Sequence, residues 1–297
     1  MNQTPAPLPD LPCYLNGELT RVDRARVSVL DRGFIFGDGV YEVVPAYAGR
    51  PFRFDEHMAR LDRSLGEMRI ANPMPRGQWR ELVDTLVQAY ARHVGQPVEA
   101  TAQMVYMQVT RGVAMRDHVM LPGLQPTVFA MSNRLPIYSE QDRARGVACV
   151  TAEDFRWKKA HIKSTSLAGA VMARQVSADQ GAVETVMFRD GMLSEAAASN
   201  VWVVQGGKVL GSPKDNLVLE GIRYGLLEQL CREAGLPFEL RRVARDEVLA
   251  ADELLLTSAT KEVLAVTSLD GKPVGNGRPG PIYERLYAGY QKAKQAS

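Results

Sequence analysis

The chain has 297 residues, and its 36 Lys and Arg against 34 Asp and Glu leave a formal charge of +2. That length suggests roughly two domains and can bury about 75% of its unfolded surface without help from disulfides or metals. A hydrophobic content of 45% with 24% charged residues excludes disorder, collagen and coiled coil, and the near-zero charge argues against a dedicated nucleic-acid binder.

Taken in chain order, residues 14–54 read as short strands and turns. Tyr14-Leu15 runs into Asn16-Gly17, a hairpin signal, and Val40 to Tyr47 forms a further extended run with Gly49 in the next turn. The period then changes: Met58, Leu61, Leu65 and Met68 are spaced 3, 4 and 3, which predicts a helix over 55–70 with one apolar face. Trp79, Leu82, Val83, Leu86, Val87, Tyr90 and Val94 predict a second helix over 78–94. Met104 to Thr110 and Thr127 to Ser132 are rich in β-formers and predict strands.

The polar stretch Asn133 to Arg145, with Pro136, reads as an interdomain connection between a first domain (1–132) and a second (146–297). The second domain should contain a strand from Gly146 to Thr151, a helix from Ser164 to Gln180, and a hairpin from Val183 to Ser194 turning at Asp190-Gly191. A strand from Asn200 to Val204 should turn at Gly206-Gly207. A helix from Gly221 to Ala234 follows, with Gly235 just past its end. A short helix from Asp246 to Ala251, strands at Glu253 to Thr257 and Val263 to Ser268, a turn at Asp270-Gly271 and a helix from Pro281 to Ala296 complete the pattern. Strands dominate and helices intervene irregularly, so the expected class is α+β in two domains.

The three cysteines, Cys13, Cys149 and Cys231, form no Cys-x-x-Cys pair, and an odd number suggests a reduced, cytoplasmic chain. Met1 to Leu11 lacks the apolar core of a signal peptide, no apolar run approaches the roughly 18 residues of a membrane span, and the four histidines are too dispersed for a metal cage. Of the 36 basic residues only nine are lysines, and none precedes Lys158. Genomic bias toward arginine accounts for such a skew, yet it confines any lysine chemistry to nine candidates.

Several constellations carry possible chemistry. Gly37-Asp38-Gly39 lacks the third glycine of a dinucleotide fingerprint. Ser258-Ala259-Thr260-Lys261 fits Ser-x-x-Lys but has no partner motif. Lys163 precedes a segment rich in small residues, which let a ligand approach closely; a solvated lysine at a helix start is the alternative. Glu195 precedes Ala196-Ala197-Ala198 and either faces a pocket or decorates a turn. Arg60 lies beside inward Met58 and Leu61, at a cleft boundary or simply in solvent. Arg116 and His118 follow a strand in a segment that also holds Arg111; such a group suits a carboxylate, which an arginine fork grips bidentately, or is a solvated loop.

The order of these segments is more specific than any one of them. Asp31 to Glu42 (DRGFIFGDGVYE), Glu56 to Leu61 (EHMARL), the Lys163 segment, Ser194 to Asn200 (SEAAASN), Leu219 to Arg223 (LEGIR) and Thr257 to Glu262 (TSATKE) together resemble the class IV aminotransferases, pyridoxal-phosphate enzymes of fold type IV. The resemblance covers roughly residues 14–290. Tyr41-Glu-Val-Val44 with Arg116-x-His118 is most similar to the D-amino-acid aminotransferases, and the branched-chain enzymes fit these two places less well.

The resemblance implies a two-domain fold with pyridoxal 5'-phosphate between the domains. Lys163 would form the Schiff base and then move the proton between Cα and the cofactor. Glu195 would pair with the ring nitrogen, keeping the ring an electron sink. Arg60, with Ser258 and the backbone N–H groups of Ile222 and Ala259, would hold the phosphate, Ile222 at a helix N-terminus that favours anions. Leu219 would pack on the ring. Tyr41, Arg116 and His118 would bind the substrate carboxylate, the last two reaching in from the partner of a homodimer. The family commonly has hydroxyl residues where Arg223 and Ala259 stand, so Arg223 would contribute charge to the phosphate instead. The implied reaction is ping-pong amino transfer from a D-amino acid to 2-oxoglutarate or pyruvate. A 4-amino-4-deoxychorismate lyase, an (R)-amine transaminase, a branched-chain L-transaminase and a domain that binds no cofactor are the alternatives. Arg116 favours a carboxylate over a simple amine, and intact Lys163 and Glu195 argue against the last.

Overall fold

The computed structural model describes residues 8–295. Contacts divide the chain into two compact units, one running to Leu135 and including Lys163–Ser166, the other formed by Pro136–Ile162 and the chain from Leu167 on. Most of the Met1 to Leu11 stretch, and Ala296 as the expected end of the last helix, lie outside the described residues.

The first unit contains β1 (Pro12–Leu15), β2 (Glu18–Arg21), α1 (Arg32–Phe36), β3 (Gly39–Tyr47), β4 (Arg50–Pro51), α2 (Phe54–Glu67), α3 (Arg76–His93), β5 (Ala102–Thr110) and β6 (Thr127–Arg134). The strands form one antiparallel sheet in the order β2-β1-β6-β5-β3-β4. The Asn16-Gly17 turn has positive φ at both residues, as a two-residue hairpin needs. Along β5, buried Gln103, Val105, Met107 and Val109 alternate with half-buried Met104, Tyr106 and Gln108. The helices α2 and α3 cover the sheet, sinking Met58, Leu61, Leu65, Trp79, Val83 and Leu86. The other side of β3 and β5 carries Tyr41, Tyr106 and Gln108, with the two tyrosine rings stacked at 5.7 Å.

The second unit contains α4 (Glu140–Arg145), β7 (Val147–Glu153), α5 (Ala168–Asp179), β8 (Glu184–Arg189), β9 (Met192–Ala196), β10 (Asn200–Gln205), β11 (Lys208–Gly211), α6 (Arg223–Glu233), β12 (Phe238–Leu240), α7 (Arg245–Leu249), β13 (Glu253–Ser258), β14 (Glu262–Leu269), β15 (Lys272–Pro273) and α8 (Pro281–Gln295). Its mixed sheet runs β12-β11-β10-β13-β14-β7-β8-β9, with β15 beside β14. Strands β8, β10 and β13 are buried almost end to end. This accounts for their unbroken apolar runs: both faces are covered. Their core includes Val186, Phe188, Val201, Val203, Leu254, Leu256 and Leu264. The class is α+β, as the irregular order of elements implies.

Three expectations change. The stretch 133–145 is not a bare connection, since its second half forms α4, capped by the Ser139 side chain on the Asp142 N–H. The helix predicted from Ser164 begins only at Ala168. The residues just before Leu167 are drawn into the first unit instead: Ser164 bridges Val40, the Thr165 N–H donates to Gly39 O at 2.9 Å, and the Thr165 and Ser166 hydroxyls both donate to Gly37 O at 2.9 Å. Lys163, expected in the second domain, therefore belongs to the first unit.

Candidate active site

The Lys163 amine lies 4.0 Å from the centroid of the Tyr41 ring. Two backbone bonds fix this pairing, because the Tyr41 N–H donates to Lys163 O at 3.0 Å and the Lys163 N–H donates to Ser64 Oγ at 3.2 Å. Lys163 is the one lysine of the first unit, and its amine is held over the Tyr41 face.

Arg60 is 6% exposed and sits on the inner face of α2. Its Nε and Nη2 donate to the two oxygens of Glu42 at 2.7 and 2.8 Å, and His57 Nδ1 lies 2.7 Å from Glu42 Oε2. Burial by itself would push the Glu42 carboxyl up, but the Arg60 charge and these hydrogen bonds hold it well below the usual carboxylate range. Glu42 and His57 stand within the quoted segments, yet no role was expected of them. The available signal was spacing: His57 and Arg60 fall on the same helix face as Met58 and Leu61.

Arg116 and His118 sit in a loop without regular structure after β5, and both are exposed. They flank the Phe36 ring, with the Arg116 guanidinium 5.4 Å and the His118 ring 5.3 Å from its centroid.

In the second unit Glu195 lies within β9, not after the hairpin as expected, and is 4% exposed. It accepts from Arg156 Nη1 at 2.8 Å, from Asn200 Nδ2 at 3.0 Å and from the Leu219 N–H at 3.2 Å to each oxygen. Asn200 Nδ2 also donates to Leu219 O at 2.9 Å, so one amide ties the carboxyl to the chain before α6. Arg156 in turn forks onto Asp154, which also receives Arg189 at 3.1 Å. Burial raises the Glu195 carboxyl to about 7 against the opposing pull of Arg156 and the Leu219 N–H. Asp154 is itself buried, which opposes ionisation, but its bonds from Arg156 and Arg189 hold it low. Sequence reasoning missed Arg156, Asp154 and Arg189. In a chain with so many arginines, one more gives no signal.

Ile222 is buried and forms the N-cap of α6, one residue after Gly221. A Cβ at Gly221 would overlap Asn200 Oδ1, so the backbone here must run flush against the amide that holds Glu195. Ser258, Ala259 and Thr260 make the turn from β13 to β14, where Ser258 Oγ accepts the Lys261 N–H at 3.1 Å. The Lys261 amine donates to Glu184 at 3.0 Å, which leaves Ser-x-x-Lys without the serine–lysine contact a nucleophile needs. Arg223 is 3% exposed and donates from Nε and Nη2 to Tyr290 Oη at 3.3 and 3.0 Å, bracing α6 against α8.

Each unit carries groups of the kind pyridoxal phosphate calls for: a lysine amine in the first, and in the second a buried carboxyl of raised pKa and N–H groups at a helix start. Comparison with known proteins agrees. Residues 39–269 match the family described as Amino-transferase class IV, and the chain belongs to it. It is therefore a pyridoxal-phosphate-dependent aminotransferase. It is 38% identical over 279 residues to the D-alanine aminotransferase of Bacillus licheniformis, covering 94% of this chain and 95% of that protein. It is 33% identical to the D-alanine aminotransferase of Staphylococcus aureus (strain MSSA476), covering 94% and 96%. Among solved structures, the branched-chain aminotransferase of the thermophilic archaeon Thermoproteus uzoniensis superposes with a TM-score of 0.83 at 22% identity, over 96% of this chain and 95% of that one, which shows the shared fold.

Proposed function

We propose that this aminotransferase takes its amino group from a D-amino acid such as D-alanine and gives it to a 2-oxo acid such as 2-oxoglutarate or pyruvate. The observation that carries the reading is the Lys163 amine seated on Tyr41, a base beside a residue read as a carboxylate ligand. The likeness to two D-alanine aminotransferases over nearly the whole chain supports the choice of hand.

When bound, pyridoxal phosphate draws electrons from the substrate Cα into its ring. In this reading the Lys163 Nζ would take the proton from the substrate Cα and hand it to the cofactor carbon that bore the aldehyde, C4′. Glu195, kept near neutrality by burial and braced by Arg156 and Asn200, shares a proton with the ring nitrogen. Leu219 packs on the ring. Arg60, Ser258 and the N–H groups of Ile222 and Ala259 hold the phosphate, while Arg223, engaged by Tyr290, adds its charge from behind the start of α6. Tyr41, Arg116 and His118 hold the substrate carboxylate.

A homodimer is part of the proposal, with Arg116 and His118 serving the partner's site. Exposed Val27, Val29, Phe34, Val113, Met115, Val119 and Met120 on the first unit support it, because monomers rarely leave so many apolar side chains in two neighbouring segments uncovered. Among the described residues no helix is long and apolar enough to cross a membrane. We place the enzyme in the cytoplasm, a reading supported by its three buried free cysteines.

The test offers D-alanine and L-leucine separately with 2-oxoglutarate. Turnover of D-alanine is expected. Turnover of L-leucine alone would overturn the D-assignment, and pyruvate release from 4-amino-4-deoxychorismate would move the enzyme to the lyases.

A further inference from the structure

Arg116 and His118 stand in a loop with no regular structure, yet a carboxylate trap must be held in place before the substrate arrives. Three observations show what holds it. First, one phenyl ring, Phe36, gathers the whole group: the Arg32 guanidinium lies over it at 4.9 Å, the Arg116 guanidinium at 5.4 Å, and the His118 ring at 5.3 Å with a 45° tilt. The negative face of an aromatic ring attracts a guanidinium and orients its plane.

Second, Arg32 pins the loop backbone. It is 3% exposed, its Nε donates to Asp38 Oδ2 at 2.8 Å, and its Nη1 donates to Asp117 O at 2.5 Å, the carbonyl between Arg116 and His118. The anchor beneath it is rigid, because Arg111 grips the same Asp38 through Nε and Nη2 at 2.7 and 3.0 Å and donates to Met68 O and Arg69 O. Third, the base of the loop is stitched to the approach of α1 by an Asp31–Val113 bridge and by the Arg32 N–H donating to Gly112 O at 2.9 Å.

The charges are arranged unequally. Arg32 and Arg111 share the Asp38 carboxylate, whereas among the described residues no carboxylate pairs with Arg116. A cation oriented by a ring but lacking an anion is prepared to receive one.

We infer that Phe36, backed by Arg32, is a positioning residue that sets Arg116 and His118 for the substrate carboxylate. This rests on the proposed carboxylate role of that loop. Phe36 touches no reacting atom; it acts through Arg116 and His118.

The test measures pyruvate binding to the holoenzyme by calorimetry, with D-alanine kinetics alongside. Phe36→Leu is expected to weaken the pyruvate Kd about tenfold and to raise the D-alanine KM by a similar factor. The kcat should stay within about threefold and the absorbance of the bound cofactor should not change. Phe36→Tyr, which keeps the aromatic face, should stay within about twofold of wild type. In the double variant with Arg116→Ala, Phe36→Leu should cost less than it does alone, since only His118 is left for it to position. Where Phe36→Leu does not fold, Phe36→Met fills similar volume without a π face and reads the same way. An unchanged Kd, a fall in kcat without a rise in KM, or full additivity in the double variant would overturn the inference. A wild-type enzyme that binds no pyruvate and turns over no D-amino acid overturns the carboxylate reading itself, a result distinct from a wild type that binds while Phe36→Leu binds equally well.

Discussion

At the scale of single residues, two buried carboxyls are pushed in opposite directions. Glu42 is held ionised by Arg60 and His57, whereas Glu195 is raised to about 7 because burial outweighs its ion pair with Arg156. Between its ordinary value and about 7 the folded protein binds a proton at Glu195 that the unfolded chain has already lost. Stability therefore falls as pH rises across that window, by about 1.4 kcal/mol for each unit separating the two values. In cofactor-free protein Glu195→Gln should remove this part of the pH dependence, and melting curves of wild type and variant should converge at the acid end of the window. Identical slopes in the two proteins would show that Glu195 titrates normally. Glu42→Gln acts differently, since it removes the anion that Arg60 grips through both oxygens; a loss of about 3 kcal/mol is expected in denaturant unfolding. Lys163 and Glu195 were legible because their neighbours are small residues in a specific order. Arg156 and Arg32 were not, since their partners Glu195 and Asp38 are brought to them only by the fold, and Arg111, grouped in the sequence with Arg116 and His118 as suited to a carboxylate, is instead buried on Asp38.

At the scale of elements, the periodicities of α2 and α3 and the hairpin turns at Asn16-Gly17 and Asp190-Gly191 were readable because each is a local choice. The start of α5 was not. Thr165 and Ser166 stand just before α5 but spend their hydrogen bonds on Gly37 and Gly39, which are distant in the chain. Tertiary contacts outweigh the weak helix propensity of such a segment. The chain before α6 is similarly set by packing. Gly221→Ala would drive a methyl into Asn200 and should cost about 1–3 kcal/mol. It should also weaken retention of the cofactor during dialysis, because Asn200 holds Glu195. The C-terminal helix α8 starts on Glu253, whose two oxygens accept the Ile282 and Tyr283 N–H groups at 3.0 and 2.9 Å. Glu253→Ala leaves those donors buried without an acceptor, and a loss of about 2 kcal/mol is expected in thermal melts.

At the scale of the whole molecule, the composition argued against a dedicated nucleic-acid binder but named no chemistry. What identified the enzyme was the order of six short segments along nearly the full length, which the class IV match over residues 39–269 then established. The lysine skew gives the most direct test. With only nine lysines in the chain, covalent attachment of the cofactor has few possible addresses. Borohydride reduction of the holoenzyme followed by peptide mass mapping should place the cofactor mass on the peptide bearing Lys163 and on no other. Its appearance on Lys158, Lys159 or Lys261, or on no lysine at all, would contradict the account.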